Sequence, residues 1–66
     1  MMKIVLNGDD REVSAATVAA LIDELGLAGQ PAAVELNARV VPKRAHAEAT
    51  LAEGDRVEVV TLVGGG

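Results

Sequence analysis

The chain has no cysteine, phenylalanine, tyrosine or tryptophan, and its 66 residues include a single histidine and two prolines. Each absence removes a class of function. Without cysteine there is no thiol nucleophile, redox pair, disulfide staple or Cys-ligated metal site. Without aromatics there are no stacking platforms for bases. One histidine cannot build a His-based metal cluster. Ten acids against six bases give a formal charge of −4, which disfavours nucleic acid and anionic membrane as partners. No apolar run approaches the roughly 18 residues of a membrane span, and Met1-Met2-Lys3 does not open like a signal sequence. A cytoplasmic protein is expected.

Half of the residues are apolar, almost all of them Ala, Val, Leu and Ile. A domain this short buries only about 60% of the surface its unfolded chain exposes, so the aliphatic core must be efficient. Met2 to Leu6 alternates, with Met2, Ile4 and Leu6 on one face and Lys3 and Val5 on the other. Asn7-Gly8 follows, a hairpin signal because both residues tolerate positive φ. Asp9 and Asp10 read as an extension of that turn, and Arg11-Glu12-Val13 as a short returning strand. Val18, Leu21, Ile22 and Leu25 then fall on one helical stripe. Thr17 is the preferred N-cap, with Ser14 second, and Gly26 suits a left-handed residue after the helix. The helix is expected to run about ten residues.

Ala32 to Leu36 returns to alternation, and a tight reversal at Asn37-Ala38 or Ala38-Arg39 leads into Val40-Val41 before Pro42. Lys43 to Thr50 is polar and alanine-rich, enough for one helical or 3₁₀ turn. Glu53-Gly54-Asp55 is a turn, and Arg56 to Val63 is the longest strand, with Val57 and Val59 inward and Glu58, Val60 and Leu62 outward. The expected architecture is α+β: a β-grasp (ubiquitin-like) domain over residues 1–63, a small mixed sheet packed on one helix. It requires the first and last strands, the most apolar on both faces, to pair in parallel. Residues 64–66 form a separate, flexible glycine tail.

Side-chain chemistry is sparse. His46 lies in a polar stretch without an acid–base partner and reads as an ordinary surface or half-packed residue. Asp9, Asp10 and Glu12 lack calcium-loop spacing and read as a solvated turn. Arg39, Lys43 and Arg44 form a short basic patch, read as surface charge. No glycine motif matches a phosphate-binding loop. Two features remain. Val5, Val60 and Leu62 share the outward phase of the first and last strands and would form a docking patch if those strands are neighbours. Gly64-Gly65-Gly66 would extend about 10 Å past the last strand, with a cross-section narrow enough to thread a slot. The Gly66 α-carboxylate at its tip becomes a reactive acyl donor once adenylated.

With these pieces in order, the chain resembles the ThiS family, the sulfur carriers of bacterial thiamine biosynthesis. The resemblance rests on Ile4-Val5-Leu6-Asn7-Gly8, on Thr17-Val18 through Leu21, Ile22 and Leu25, and on Val34-Glu35-Leu36-Asn37. It continues through Val40-Val41-Pro42 and Glu53-Gly54-Asp55 to Val63-Gly64-Gly65-Gly66. It implies a carrier, not an enzyme. Gly66 would be adenylated by a separate E1-like adenylyltransferase using ATP and magnesium, the carrier itself binding no cofactor and no metal. Sulfur from a donor such as a cysteine desulfurase would convert the adenylate to a thiocarboxylate. Thiazole synthase would then take that sulfur for thiazole formation. Gly64 and Gly65 would thread the partner's channel, and Val5, Val60 and Leu62 would dock. The family's shared signature is two glycines where this chain has three. The small subunit of molybdopterin synthase shares the fold and the glycine end, but those proteins are usually longer and carry aromatics and prolines before the glycines. A ubiquitin-like modifier and a non-covalent β-grasp interaction module are the further readings.

Overall fold

A computed structural model describes residues 1–61. Strand β1 (Met2–Leu6) turns at Asn7 and Gly8, with φ of 50° and 87°, and returns as β2 (Asp9–Val13). Both turn residues have positive φ, so the reversal takes two residues and Leu6 pairs with Asp9 at once. Asp9 and Asp10 are therefore strand, where the sequence reading made them turn. The second reversal follows the same rule. Asn37 and Ala38, at φ of 51° and 70°, join β3 (Ala32–Leu36) to β4 (Arg39–Val41), and Leu36 pairs with Arg39.

Helix α1 (Val18–Glu24) is seven residues long, shorter than expected, although its start and stop signals are those read from the sequence. The Thr17 hydroxyl accepts the Ala20 N–H at 3.1 Å, a cap worth about 1 kcal/mol. Past the helix, the Gly26 N–H donates to the Asp23 carbonyl at 2.9 Å and the Leu27 N–H to the Ile22 carbonyl at 3.0 Å. That pair of bonds, with Gly26 at a φ of 76°, closes the last turn as a Schellman motif. Leu25, on the expected stripe, is the C-cap and not a helical residue. The Ser14 and Ala15 N–H groups donate to the Glu24 carboxylate, at 3.1 and 2.9 Å to Oε1, which ties the segment ahead of the cap to the helix's last turn.

After β4, a 3₁₀ turn at Lys43–Ala45 leads back under the start of α1. There the Val18 N–H meets the Ala49 carbonyl and the Leu51 N–H meets the Ala16 carbonyl, both at 2.9 Å. Strand β5 (Arg56–Thr61) then enters the middle of the sheet. The strand order is β2-β1-β5-β3-β4. β5 is parallel to β1, with Val5 beside Arg56 and Leu6 beside Val57, and antiparallel to β3. The parallel central pair, hairpins on either side and one helix across one face make a β-grasp fold.

The core lies between that face and α1. Ile4, Val13, Val18, Leu21 and Val57 are fully buried, and Leu6, Ala15, Val34, Leu51 and Val59 nearly so. Among the described residues no polar or charged side chain is buried. Apolar contact is the main source of stability, since each such aliphatic side chain contributes roughly 1.5–3 kcal/mol of transfer free energy when fully buried.

Candidate functional site: the open sheet face and the end of β5

Alternation along β5 divides its side chains between two surfaces. Val57 and Val59 point into the core, while Arg56, Glu58 and Val60 stand on the face that α1 leaves open. Register places Val60 beside Ala33 and Glu58 beside Glu35, with Val40 flanking Glu35 on the other side. Val60 is 57% exposed and Val40 73%. Two bare valines thus bracket two opposed carboxylates, an arrangement that costs stability because like charges face each other across the ladder. Other acids are used by the fold: Glu24 takes two backbone N–H groups, Glu53 accepts the Lys3 N–H at 3.0 Å, and Asp55 accepts the Ala52 N–H at 2.8 Å.

Of the expected docking residues, Val5 is half-buried between Asp10 on β2 and Arg56 on β5. Val60 lies on the same face but four residues further along than Arg56, about 13 Å at the usual strand rise. The two do not touch side by side. Val60 instead stands beside Ala33 on β3, and Val40 lies on the same face one strand further on, beside Glu35. Leu62, together with Gly64, Gly65 and Gly66, lies outside the described residues.

The two turn asparagines have a second role that their turn preference does not reveal. Asn37 accepts the Arg56 N–H through its side chain at 2.9 Å and donates its own N–H to the Arg56 carbonyl at 2.7 Å. Its Nδ2 also donates to Asp55 at 3.1 Å. On the other flank of β5, the Asn7 side chain bonds the backbone of Val59 at 2.8 and 3.2 Å. Each asparagine thereby continues a ladder beyond the end of its own strand.

The remaining candidates do not come together as chemistry. Asp9 projects on the opposite face from Asp10 and Glu12, because successive residues of β2 alternate. Half-buried His46 lies with Nε2 3.1 Å from the Val41 carbonyl, and its own carbonyl accepts the Ala19 N–H, so it ties the 3₁₀ segment to β4 and α1. Among the described residues, no three His, Cys, Asp or Glu side chains are grouped to hold a metal ion. Among those residues, too, no helix is long and apolar enough to cross a membrane.

The sequence profile of the ThiS family matches residues 4–66, nearly the whole chain. The chain belongs to the ThiS family. Its fold is also that of a solved member. The crystal structure of the thiamine biosynthesis protein ThiS from Geobacter metallireducens superposes with a TM-score of 0.80 at 33% identity, covering 98% of this chain and all of that one. Two curated relatives are named thiazole synthase. The protein from Paramagnetospirillum magneticum is 46% identical over 66 residues and that from Magnetococcus marinus 41% identical over the same length. This ThiS-family chain spans only 20% of the length of either, so each of those proteins carries a ThiS-like portion within a much longer polypeptide.

Proposed function

We propose that this chain is a cytoplasmic sulfur carrier for thiazole formation in thiamine biosynthesis, with Gly66 as the site of attachment. The family match carries the reading, because it runs through the final glycines as well as the folded domain. The two relatives named thiazole synthase support a partnership with that enzyme.

The chemistry follows from what a carboxylate lacks. It is too stable an acyl group to accept a sulfur nucleophile directly. A carboxylate oxygen of Gly66 attacks the α-phosphorus of ATP, releasing pyrophosphate and leaving an acyl adenylate. A sulfur nucleophile at the oxidation level of hydrosulfide then attacks the acyl carbon, and AMP departs with its bonding pair. The product is a thiocarboxylate, whose sulfur is the nucleophile in thiazole formation. The ATP and magnesium belong to an E1-like adenylyltransferase; a donor such as a cysteine desulfurase supplies the sulfur as a persulfide, and a thiol reductant, itself oxidised to a disulfide, releases its outer sulfur at the hydrosulfide level. The carrier's task is presentation. Gly64 and Gly65 thread the partner's channel, and Val5, Val60 and Leu62, joined by Val40, form the docking face.

Reconstitution with thiazole synthase tests the pathway. The thiocarboxylated chain should support thiazole formation, and a chain lacking Gly65 and Gly66 should not. Equal activity of the truncated chain would end the carrier reading; rescue of molybdopterin formation alone would assign the chain to that pathway instead.

A further inference from the structure

Strand β5 outruns its parallel neighbour. β1 ends at Leu6, opposite Val57; the Asn7 N–H still reaches the Val57 carbonyl at 2.8 Å, and the chain then turns away with Asn7 at a φ of 50°. Past Val57, β3 continues on one flank of β5, pairing Val34, Ala33 and Ala32 with Val59, Val60 and Thr61. On the other flank the Asn7 side chain takes the place of a strand. The Val59 N–H donates to Asn7 Oδ1 at 2.8 Å, and Asn7 Nδ2 donates to the Val59 carbonyl at 3.2 Å. A carboxamide offers the same donor and acceptor as a peptide group, so one side chain supplies what the next residue of β1 would have supplied. Alanine, serine or leucine at this position could not do both.

We propose that Asn7 is a positioning residue for the reaction at Gly66: it clamps β5 at Val59 and so holds the last described residues of that strand, through Thr61, in place on the flank that β1 has left. This rests on the sulfur-carrier reading. A partner that grips the open face and reacts with a carboxylate several residues away depends on the geometry between the two. Loss of the clamp on one flank leaves Val60 held by its pairing with Ala33 on the other but adds conformational freedom that must be lost in every productive complex. The expected signature is a fall in kcat with the KM for the carrier unchanged.

Asn7→Gly isolates the effect, since glycine tolerates the positive φ and removes only the carboxamide. Asn7→Asp retains an acceptor for the Val59 N–H and loses the donor. Amide hydrogen exchange on the isolated chain should show Val59 exchanging about tenfold faster in Asn7→Gly, as expected for losing one or two net hydrogen bonds, with a smaller change in Asn7→Asp. The Leu21 amide, bonded within the helix, should keep its protection in both and so report an intact fold. In adenylation assays with the E1-like enzyme and ATP, kcat should fall severalfold for Asn7→Gly and less for Asn7→Asp, at constant KM. Unchanged Val59 exchange would overturn the clamp. A rise in KM at constant kcat, or unaltered kinetics beside a modified wild type, would overturn the positioning role alone. A wild-type chain that the enzyme never adenylates would overturn that role together with the sulfur-carrier reading, with the exchange data then describing a purely structural clamp.

Discussion

The two faces of the sheet are built from the same strands and obey opposite rules. Toward α1, Ile4, Val34 and Val57 are buried to within 1% of complete, and every buried side chain of that layer is aliphatic. Away from α1, Val40 and Val60 are left largely exposed beside the opposed Glu35 and Glu58. A two-residue period puts both environments on a single strand, one residue apart. In a domain of 66 residues, one face must supply nearly all the packing energy, which leaves the other free to carry exposed valines and a repulsive charge pair that add nothing to stability. The difference teaches that the open face is shaped for something other than holding the fold.

The largest test breaks the covered face. Leu21→Ala should cost about 2–5 kcal/mol, a large part of the stability available to a domain this small, and chemical denaturation should show a collapsed or absent transition. A loss below 1 kcal/mol would mean the helix is not essential to the core. Next comes the open face. Val60→Asp should leave stability within about 0.5 kcal/mol while weakening adenylyltransferase binding by about tenfold or more, measured by calorimetric titration. Unfolding instead of weaker binding would place Val60 on the wrong surface. The smallest effect sharpens the charge argument. Glu58→Lys turns the like pair with Glu35 into an opposite one, worth roughly 0.2–1 kcal/mol, and thermal melts should show a modest gain that shrinks as salt is added. A salt-independent loss would contradict the facing of the two carboxylates.

Much of this was legible from residue patterns. The stripe from Val18 to Leu25, the Thr17 cap and the Gly26 stop depend on local chemistry, and so does the alternation that puts Val57 inward and Val60 outward. The double-sided apolarity of the first and last strands marked them as central, while their parallel pairing was an inference from topology rules and not from periodicity, and the structure shows it. What escaped is what depends on register. Asn7 and Asn37 announce turns, but nothing local says that their side chains will complete ladders on the two flanks of β5, some 52 and 19 residues away in sequence. The neighbourhood of Val60 escaped likewise. Its neighbour Ala33 comes from β3, Val40 stands a strand beyond, beside Glu35, and Val5 is set apart by a parallel register that opposes it to Arg56. The helix was overestimated because the apolar stripe runs on to Leu25, which serves as the C-cap; the hold of the Glu24 carboxylate on the amides of Ser14 and Ala15 is a contact that the helical period does not encode.

The central claim concerns one oxygen atom. Intact mass spectrometry after incubation with the E1-like adenylyltransferase, ATP, magnesium and a sulfur donor should show the chain heavier by one oxygen-to-sulfur exchange, with fragmentation placing the change on Gly66. An unchanged mass, or sulfur attached anywhere else in the chain, would contradict the account.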